Sequence, residues 1–290
     1  MSEYVLFTDS CCDLPHSLAE EMQIVVQPLC VHVDDATYRN YLDEREIKYR
    51  DFYALIPKAK DLKTSAVNQQ EFMDAMEPFL QQGKDILYIG FSSGLSGTYS
   101  AGVLAAQELL EKYPDRTILT VDTLCASLGQ GMLCYYAWLK KQEGMTIQEV
   151  HSYLEENKMK MCHWFTVNDL FHLKKGGRVS ATTALLGSML SIKPVMHVDD
   201  EGHLTLVSKA RGRKASIRQL VQDMKQTAID PENQVVFISH GDVQEDAEYL
   251  AELVKNEMHV KDVIIGYVGP VIGAHSGPGT LALFFFGTKR

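Results

Sequence analysis

His275 lies in a segment whose composition suits recognition of a polar group beside an apolar pocket. The stretch from Gly266 to Phe286 places five glycines around this histidine, together with the hydroxyls of Ser276 and Thr280. A glycine-rich loop costs backbone entropy and buries little surface, so it usually lets the chain turn closely around something. One titratable side chain held there, next to an apolar strand, predicts recognition of a polar head group at the mouth of a pocket. The alternative is a glycine-rich hairpin with a surface histidine.

A second candidate for chemistry is the sequence Gly-Phe-Ser-Ser-Gly at residues 90–94, which matches the nucleophile elbow of serine hydrolases. Asp242 and His275 follow Ser92 in the chain order that a catalytic triad of that class needs. An elbow requires a helix that begins at the serine, whereas Gly94 and Gly97 here extend the loop to Thr98. The alternative function is therefore a serine hydrolase that acts on acyl esters through Ser92 and His275.

The same hydroxyl-rich loop also suits the binding of an anion. It opens onto the N-terminus of a predicted helix, where free backbone N–H groups and the helix dipole favour negative charge. Ser96 is therefore a candidate contact for a carboxylate or a phosphate. A hydroxyl at this position also fits simple capping of the helix.

Two more loops have this composition. Thr64 and Ser65 precede a helical stretch, and Ser127 follows a predicted strand. Each loop alone fits ordinary turn and cap chemistry. Loops after the carboxyl ends of parallel strands meet in one crevice, however, so several hydroxyl loops together predict a binding site rather than a reaction site.

The chain has no recognised cradle for ATP or for a dinucleotide, because neither G-x-x-x-x-G-K-[ST] nor G-x-G-x-x-G occurs. Asp9 and Asp13 have the spacing D-x-x-x-D rather than the D-x-D of phosphatases, so we expect them to cap the next helix and brace the loop. Any phosphate chemistry would need a partner. The basic cluster Ser208–Arg218 predicts either a solvated helix face or a patch that meets a phosphate or an acidic partner.

The composition is that of a soluble globular protein: 290 residues, 46% hydrophobic and 23% charged, with a net charge of −10. This acidic balance argues against a binder of nucleic acid or of anionic membranes. No apolar run approaches the roughly 18 residues of a membrane span, and the N-terminus does not resemble a signal peptide, so we expect a cytoplasmic protein without stable membrane insertion. Six cysteines without a C-x-x-C pair predict reduced, mostly buried thiols and no metal site.

Short β-branched runs alternate with longer helical patterns along the first half of the chain, which predicts a largely parallel α/β sheet. One of these strands is predicted over Ile24–Val33, and Thr37–Arg50 is predicted to be irregular. The second half predicts paired strands around a turn at Gly202 and ends in a strand, a loop and a strand. We therefore predict an α/β fold with a parallel-sheet N-terminal domain, 1–160, and a mixed α+β C-terminal domain, 161–290.

Six ordered motifs resemble those of the DegV family over essentially the whole chain. They are Thr8-Asp-Ser-Cys-Cys-Asp13, Lys63-Thr64-Ser65, Ser92-Ser-Gly-Leu-Ser96-Gly-Thr98-Tyr99, Leu173-Lys-Lys-Gly-Gly-Arg-Val-Ser180, Lys209-Ala-Arg211-Gly-Arg-Lys214 and Ile272-Gly-Ala-His275-Ser-Gly-Pro-Gly-Thr280. The resemblance implies a two-domain fold that encloses a long-chain fatty acid in an apolar tunnel. It also implies a fatty-acid-binding subunit of bacterial fatty acid kinase, which presents the acyl carboxylate to a separate ATP-binding kinase protein for phospholipid synthesis.

The resemblance gives expectations for individual residues. The expected fatty-acid contacts are Thr64, Ser65, Ser96 and His275. Ser93 and Ser127 are expected to lie behind these contacts, and Arg211 is the residue expected to serve the partner and phosphoryl transfer. The ligand is expected to be a C14–C18 fatty acid, with no cofactor and no catalytic residue in this chain.

The sequence departs from the family pattern near two of these positions. After Ser65 the family usually has a proline and a second serine, whereas this chain continues as Ala66, Val67 and Asn68. This departure affects the expected shape of the tunnel entrance. Ala215 stands where a second lysine is common, and this departure affects the expected docking to the kinase. A third hypothesis, besides carrier and hydrolase, is a regulatory protein that senses a bound lipid.

Overall fold

The computed structural model describes residues 3–168, 170–179, 191–288 and 290. Within these residues the backbone forms three β-sheets, of four, six and three strands. The four-stranded sheet is parallel and the six-stranded sheet is mixed, so the predicted α/β fold class is confirmed. None of the described helices combines the length and the apolar character that crossing a bilayer requires.

The elements have the following bounds. The strands are β1 Tyr4–Asp9, β2 Val25–Gln27, β3 Cys30–Val33, β4 Ala36–Arg39, β5 Leu62–Ser65, β6 Asp85–Gly90, β7 Ile118–Asp122, β8 Met161–Thr166, β9 Ile192–Val198, β10 Leu204–Arg211, β11 Val235–His240, β12 Asp262–Tyr267 and β13 Leu281–Phe286. The α-helices of the described residues are α1 His16–Glu21, α2 Tyr49–Leu55, α3 Gln69–Gln81, α4 Thr98–Lys112, α5 Leu128–Gln142, α6 Ile147–Asn157, α7 Phe171–Lys175, α8 Arg213–Thr227, α9 Gln244–Met258 and α10 Pro270–Ser276.

The parallel sheet has the strand order β2-β1-β6-β7. Helices α3 and α4 pack on one face, and α5 and α6 pack on the other. Strand β1 is consequently buried along its whole length, and its side chains alternate between two cores. Leu6 packs in the core of α5, whereas Phe7 packs with Phe72 of α3. The loops after β1, β6 and β7 all leave from the carboxyl edge of this sheet, as the sequence predicts.

The mixed sheet has the strand order β10-β9-β8-β13-β11-β12, and only β11 and β12 pair in parallel. One face packs on α8 and α9, around Leu220 and Leu250. On the opposite face, Phe237 and Phe284 join the core that contains α5. Helix α5 therefore contacts strands of both large sheets and lies between them.

The third sheet is small and antiparallel, in the order β4-β3-β5. Its buried residue Val31 packs with Phe52 of α2 and with Ala274 of α10. Helix α10 belongs to the last part of the chain but contacts α2, β3 and β5 of the first part. The division into residues 1–160 and 161–290 matches the placement of the six-stranded sheet after residue 160, and it stays a prediction.

The structure corrects three local predictions. The strand predicted over Ile24–Val33 is two strands in different sheets, because the chain turns at Gln27–Leu29 around Pro28, which has no N–H to donate. The segment predicted to be irregular contains strand β4 and the start of α2. The glycine loop around His275 contains helix α10, so the final strand–loop–strand prediction is wrong at that point. By contrast, the paired strands around Gly202 are confirmed as β9 and β10.

All six cysteines are free thiols, and five of them are buried. The predicted burial of most of the thiols is confirmed. Burial raises the pKa of Cys11 and of Cys12 well above the usual range, so these adjacent thiols stay protonated.

Candidate functional site

A cavity of about 210 Å³ lies between the parallel sheet, the mixed sheet and α10. Its volume is many times the roughly 10–15 Å³ that one water molecule needs, so it suits an organic ligand. The apolar part of the lining includes Leu29, Ala66, Phe91, Leu95, Phe165, Leu173, Val198, Leu204, Ile272, Ala282 and Phe284. Polar side chains are also present, and five of them belong to the predicted site or lie beside it: Thr64, Ser96, Ser127, Arg178 and His275.

His275 and Thr64 form the centre of this polar group. The hydroxyl oxygen of Thr64 lies 2.8 Å from His275 Nε2, across 211 residues of sequence. His275 occupies the last turn of α10, which begins at Pro270 and ends before Gly277, where φ is +77°. Gly176 allows the close approach of the neighbouring segment, since a Cβ there would meet His275 Nδ1 at 2.2 Å.

The imidazole of His275 is neutral at pH 7. Burial, and then the positive charge of Arg178, lower its pKa from 6.5 to about 4. Its Nδ1 has no hydrogen-bond partner among the described residues, and Nε2 contacts Thr64. Because the imidazole of His275 and the hydroxyl of Thr64 are bonded to each other, the neutral pair has one further proton to donate, and it can give one hydrogen bond to an oxyanion without adding a competing charge.

Ser96 reaches the same cavity from the loop before α4. Its hydroxyl lies 2.9 Å from the hydroxyl of Thr98, and it accepts a hydrogen bond of 3.2 Å from the Thr98 backbone N–H. Ser96 therefore orders the start of α4 and also lines the cavity. The structure thus brings together three of the predicted contacts, Thr64, Ser96 and His275.

Two other predicted residues face away from the cavity. Successive residues of a strand point to opposite sides, so Ser65 is exposed on the face of β5 opposite to Thr64, and its hydroxyl bonds His32 Nε2 at 3.1 Å. Ser93 is exposed as well, and its backbone N–H donates to Asp122 at 3.2 Å. For these two residues the geometry does not support the predicted contact or the predicted supporting position.

Ser127 and Arg211 are placed differently from the expectation. Ser127 lies in the cavity wall itself, and its buried hydroxyl donates to Asp13 Oδ2 at 2.6 Å and lies 3.0 Å from Ser239 Oγ. Arg211 is exposed at the end of β10 and does not line the cavity. A role of Arg211 in contacting a partner remains compatible with this position.

Arg178 is a candidate functional residue that the sequence analysis did not single out. Its guanidinium is half-buried in the cavity wall, where Nε donates to the Leu95 carbonyl at 3.4 Å and Nη1 donates to the Gly176 carbonyl. Burial lowers its pKa. No carboxylate of the described residues pairs with it, so this cation lacks a protein counter-charge within that part of the chain. The arginine of the Lys-Lys-Gly-Gly-Arg motif was the available signal, but its burial depends on a contact with a distant loop.

The structure does not assemble the alternative hydrolase triad. Ser92 is fully buried and donates its hydrogen bond to the Gly202 carbonyl at 2.9 Å. His275 is bonded to Thr64, and Asp242 is exposed beside Tyr267. The serine therefore has neither a general base nor access to a substrate.

We accordingly expect Ser92 to resist covalent labelling by a fluorophosphonate probe. Peptide mass spectrometry after exposure to excess probe should find Ser92 unmodified, because no base activates its hydroxyl. A commercial serine hydrolase treated in parallel provides the positive control. Stoichiometric modification of Ser92 would restore the hydrolase hypothesis.

The two aspartates after β1 brace the carboxyl edge of the parallel sheet. Asp9 accepts hydrogen bonds from the Cys11 and Phe91 backbone N–H groups at 3.1 and 3.0 Å, so it braces the loop as predicted. It caps the 3₁₀ turn Ser10–Cys12 rather than helix α1, which begins after Pro15 without a side-chain cap. Asp13 is also buried, and burial raises its pKa from 3.8 to about 8 despite its hydrogen bond from Ser127. Asp13 is therefore largely protonated at neutral pH.

Replacement of Asp13 by asparagine should remove part of the pH dependence of folding. A carboxyl whose folded pKa is raised contributes stability below the unfolded pKa, near 3.8, and that stability is lost as the pH rises toward about 8. We therefore expect the free energy of unfolding of Asp13→Asn, measured by urea denaturation, to increase relative to that of the wild type by several kcal/mol between pH 4 and pH 8. An offset between the two proteins that does not change with pH would contradict the buried, protonated state.

The comparisons with known proteins agree with this fold. A sequence model of the family described as "Uncharacterised protein, DegV family" matches residues 4–288. The chain belongs to the DegV family. A DegV domain-containing protein of Clostridium perfringens is 47% identical over 290 residues, which cover 100% of this chain and 99% of the relative. A DegV domain-containing protein of Streptococcus pyogenes is 35% identical over 284 residues, 98% of each chain.

Solved DegV structures superpose closely on this chain. A DegV family protein from Thermus thermophilus, described as binding fatty acid, has a TM-score of 0.89 at 29% identity and covers 98% of this chain and 99% of its own. DegV of Bacillus subtilis, described as a fatty acid binding protein, has a TM-score of 0.84 at 29% identity with the same coverage. A DegV lipid binding protein from Thermotoga maritima gives 0.86 at 29% identity over 99% of both chains.

Proposed function

We propose that this protein binds one long-chain fatty acid, of 14 to 18 carbons, in the cavity and holds its carboxylate at Thr64, Ser96 and His275. The observation that carries the proposal is the Thr64–His275 pair, 2.8 Å apart in the wall of a largely apolar cavity. Three DegV proteins of comparable fold, at 29% identity, are described as lipid or fatty acid binding proteins.

The charge and the hydrogen-bonding groups of the site suit a carboxylate. A buried carboxylate needs about two or three donors to offset its desolvation. The bonded pair of Thr64 and neutral His275 can provide one of them, and the hydroxyl of Ser96 can provide another. Arg178 adds a positive charge that has no carboxylate partner among the described residues. The apolar walls would gain about 0.8 kcal/mol for each CH₂ group that they bury.

The second part of the proposal is that the bound carboxylate is phosphorylated by a separate ATP-binding kinase protein. The sequence contains no recognised ATP cradle of its own, so the nucleotide would be brought by that partner. One carboxylate oxygen would form a bond to the γ-phosphorus of ATP while the bond from that phosphorus to the β-bridging oxygen breaks. The products are an acyl phosphate and ADP. This protein would act as the lipid-binding subunit in the cytoplasm rather than as an enzyme alone.

Titration of the delipidated protein tests the binding step. Calorimetry with palmitate should give one site per chain, with a negative heat-capacity change because the acyl chain leaves water. Addition of a bacterial fatty acid kinase protein and ATP tests the second step, and palmitoyl phosphate is the expected product. Absence of palmitate binding would remove the whole proposal, whereas binding without phosphorylation would remove only the kinase step.

Arg211 is expected to serve the partner rather than the lipid. The variant Arg211→Ala should keep its palmitate affinity, since the side chain is exposed and outside the cavity. Its phosphorylation rate at limiting kinase should fall about tenfold or more, as expected when a charged interface contact is lost. The matched control is Lys225→Ala, on the last turn of the following helix α8. Weakened palmitate binding by Arg211→Ala would place this residue in the pocket instead.

A further inference from the structure

The side chain of Arg290 joins three segments of the chain around the cavity. It is 5% exposed, and its N–H donors reach six acceptors, namely the carbonyl oxygens of Thr123, Leu124, Met161 and Asp199 and the sulfur atoms of Cys125 and Met159. The shortest of these contacts runs from Nη2 to the Leu124 carbonyl oxygen, at 2.6 Å. Arg290 itself does not line the cavity, and it belongs to none of the motifs of the sequence analysis.

Each of the three segments continues directly into the cavity wall. The loop between β7 and α5 contributes Ala126 and Ser127, strand β8 contributes Phe165, and the end of β9 contributes Val198. We call these four residues the clamped wall. The carbonyl groups that Arg290 contacts lie one to four residues away from them along the chain. The position of Arg290 therefore affects the position of the wall.

The loop between β7 and α5 needs such a contact because its backbone is strained. Leu124 and Ser127 are not glycines, yet their φ angles are +51° and +53°. Residues in this region of φ cost conformational energy and persist only where the surrounding structure holds them. Arg290 binds the carbonyl of Leu124, and the hydroxyl of Ser127 is bonded to Asp13. Without Arg290, the first of these two restraints on the loop is lost.

Arg290 is a buried cation whose acceptors among the described residues are all neutral. Burial of a charge without a counter-charge is unfavourable, and an apolar side chain of similar volume is often at least as stabilising. A guanidinium, however, presents five donors in a rigid plane, so that one side chain can bind several carbonyl groups at once. Its capacity to hold separate segments together is therefore what distinguishes an arginine from an apolar residue at this position.

The register of the mixed sheet places this contact away from the proposed carboxylate site. Met161, whose carbonyl accepts from Arg290 Nε at 3.3 Å, pairs with Phe286 at the end of β13. Leu281 begins β13, shortly after the helix that carries His275. At about 3.4 Å per residue, the two ends of β13 are about 17 Å apart. None of the contacts of Arg290 involves a residue of the proposed carboxylate site.

We infer that Arg290 is a positioning residue for the acyl chain, because its guanidinium holds the clamped wall in its binding form before the lipid arrives. This inference rests on the proposed fatty-acid binding. A wall that is already ordered does not have to be ordered by the ligand, so pre-organisation increases the affinity. Loss of Arg290 consequently weakens the binding of the lipid but does not change the chemistry at its carboxylate.

Two variants of the delipidated full chain test this inference. Arg290→Met keeps a long side chain without donors, and calorimetry should show about tenfold weaker palmitate binding, still at one site per chain. The KM for palmitate in acyl phosphate formation should rise by the same factor, while kcat stays within about twofold of the wild type. Arg290→Lys keeps the charge but cannot span the three segments, so it should lose most of the affinity as well. The lysine variant also covers the case in which the methionine variant does not fold.

The matched control is Gln234→Leu, which also removes a buried polar side chain that ties backbone groups together. The side-chain amide of Gln234 binds the backbone C=O and N–H of Phe286 at 2.9 and 2.7 Å, and Gln234 does not line the cavity. This variant should have a lower free energy of unfolding in urea, whereas its dissociation constant for palmitate should stay within about twofold of the wild type. The control separates the organisation of the wall from the overall stability of the protein.

Three results would overturn the inference. The first is wild-type palmitate affinity in both Arg290 variants. The second is a fall in kcat at unchanged KM, which would place the effect of Arg290 at the carboxylate. The third is an equal loss of affinity in Gln234→Leu, which would show an effect of overall stability. Failure of the wild type to bind palmitate would instead remove the proposed function itself, and the calorimetric measurement does not depend on the kinase.

Discussion

The rate of phosphorylation of the bound fatty acid is expected to fall by at least about 10³-fold when Arg178 is replaced by methionine. Removal of an arginine that stabilises a transferred phosphoryl group causes a loss of about this size. Arg178 is a cation in the cavity wall without a carboxylate partner among the described residues, and it lies close enough to His275 to lower the pKa of that imidazole. Its guanidinium is therefore positioned to offset the negative charge that accumulates on the carboxylate and the phosphoryl group. The rate of acyl phosphate formation at saturating kinase and ATP measures this effect.

The controls for Arg178 separate charge from structure. Arg178→Lys keeps the charge but loses the planar guanidinium, so it should recover only part of the rate. Lys174→Met changes an exposed cation in the adjacent helix α7 and should leave the rate unchanged. Full activity of Arg178→Met with an unchanged lipid content would show that the guanidinium does not act on the headgroup.

The second large effect is expected for His275→Ala, which should lower the rate of phosphorylation by about 10²-fold or more while the protein stays folded. The substitution leaves the Thr64 hydroxyl without its 2.8 Å partner, and it thereby disrupts the hydrogen bond that the Thr64–His275 pair offers to the carboxylate. A carboxylate that is misplaced by about 1 Å from the attacking geometry loses rate by about this factor. Single-turnover formation of acyl phosphate, with palmitate affinity measured in parallel, separates positioning from binding.

Strand β5 offers a matched pair of controls for His275. Thr64→Val removes the hydroxyl that faces His275 and should reduce phosphorylation in the same direction. Ser65→Ala removes the neighbouring hydroxyl, which is exposed on the opposite face of the strand, and should have no effect. Equal phosphorylation by His275→Ala and the wild type would refute the assigned carboxylate contact.

The sequence predicted the parallel sheet well because buried parallel strands appear as nearly continuous apolar runs between helical patterns. The same rule failed at Ile24–Val33, where one apolar run contains two strands and a proline between them. The glycines of helix α10 predict a loop, which the structure contradicts. A proline at its first position and a glycine directly after its end are, however, the residues that often bound a helix, and they were the signal that was missed.

For the site, residue type and motif identified Thr64, Ser96 and His275, which the structure brings to one cavity. The alternation of side chains along a strand would have excluded Ser65 once Thr64 was assigned. Arg178 was not predictable in this way, because its burial depends on its contact with Leu95, 83 residues away.

The measurement that tests the central claim most directly is mass spectrometry of an organic extract of the purified protein after expression in bacteria. The account predicts about one equivalent of a C14–C18 fatty acid per chain, reduced in His275→Ala and retained in Ser65→Ala. The identity of the extracted acid would also show which acyl chain fits the cavity. A wild-type protein that carries no fatty acid and takes up none when palmitate is added would contradict the account.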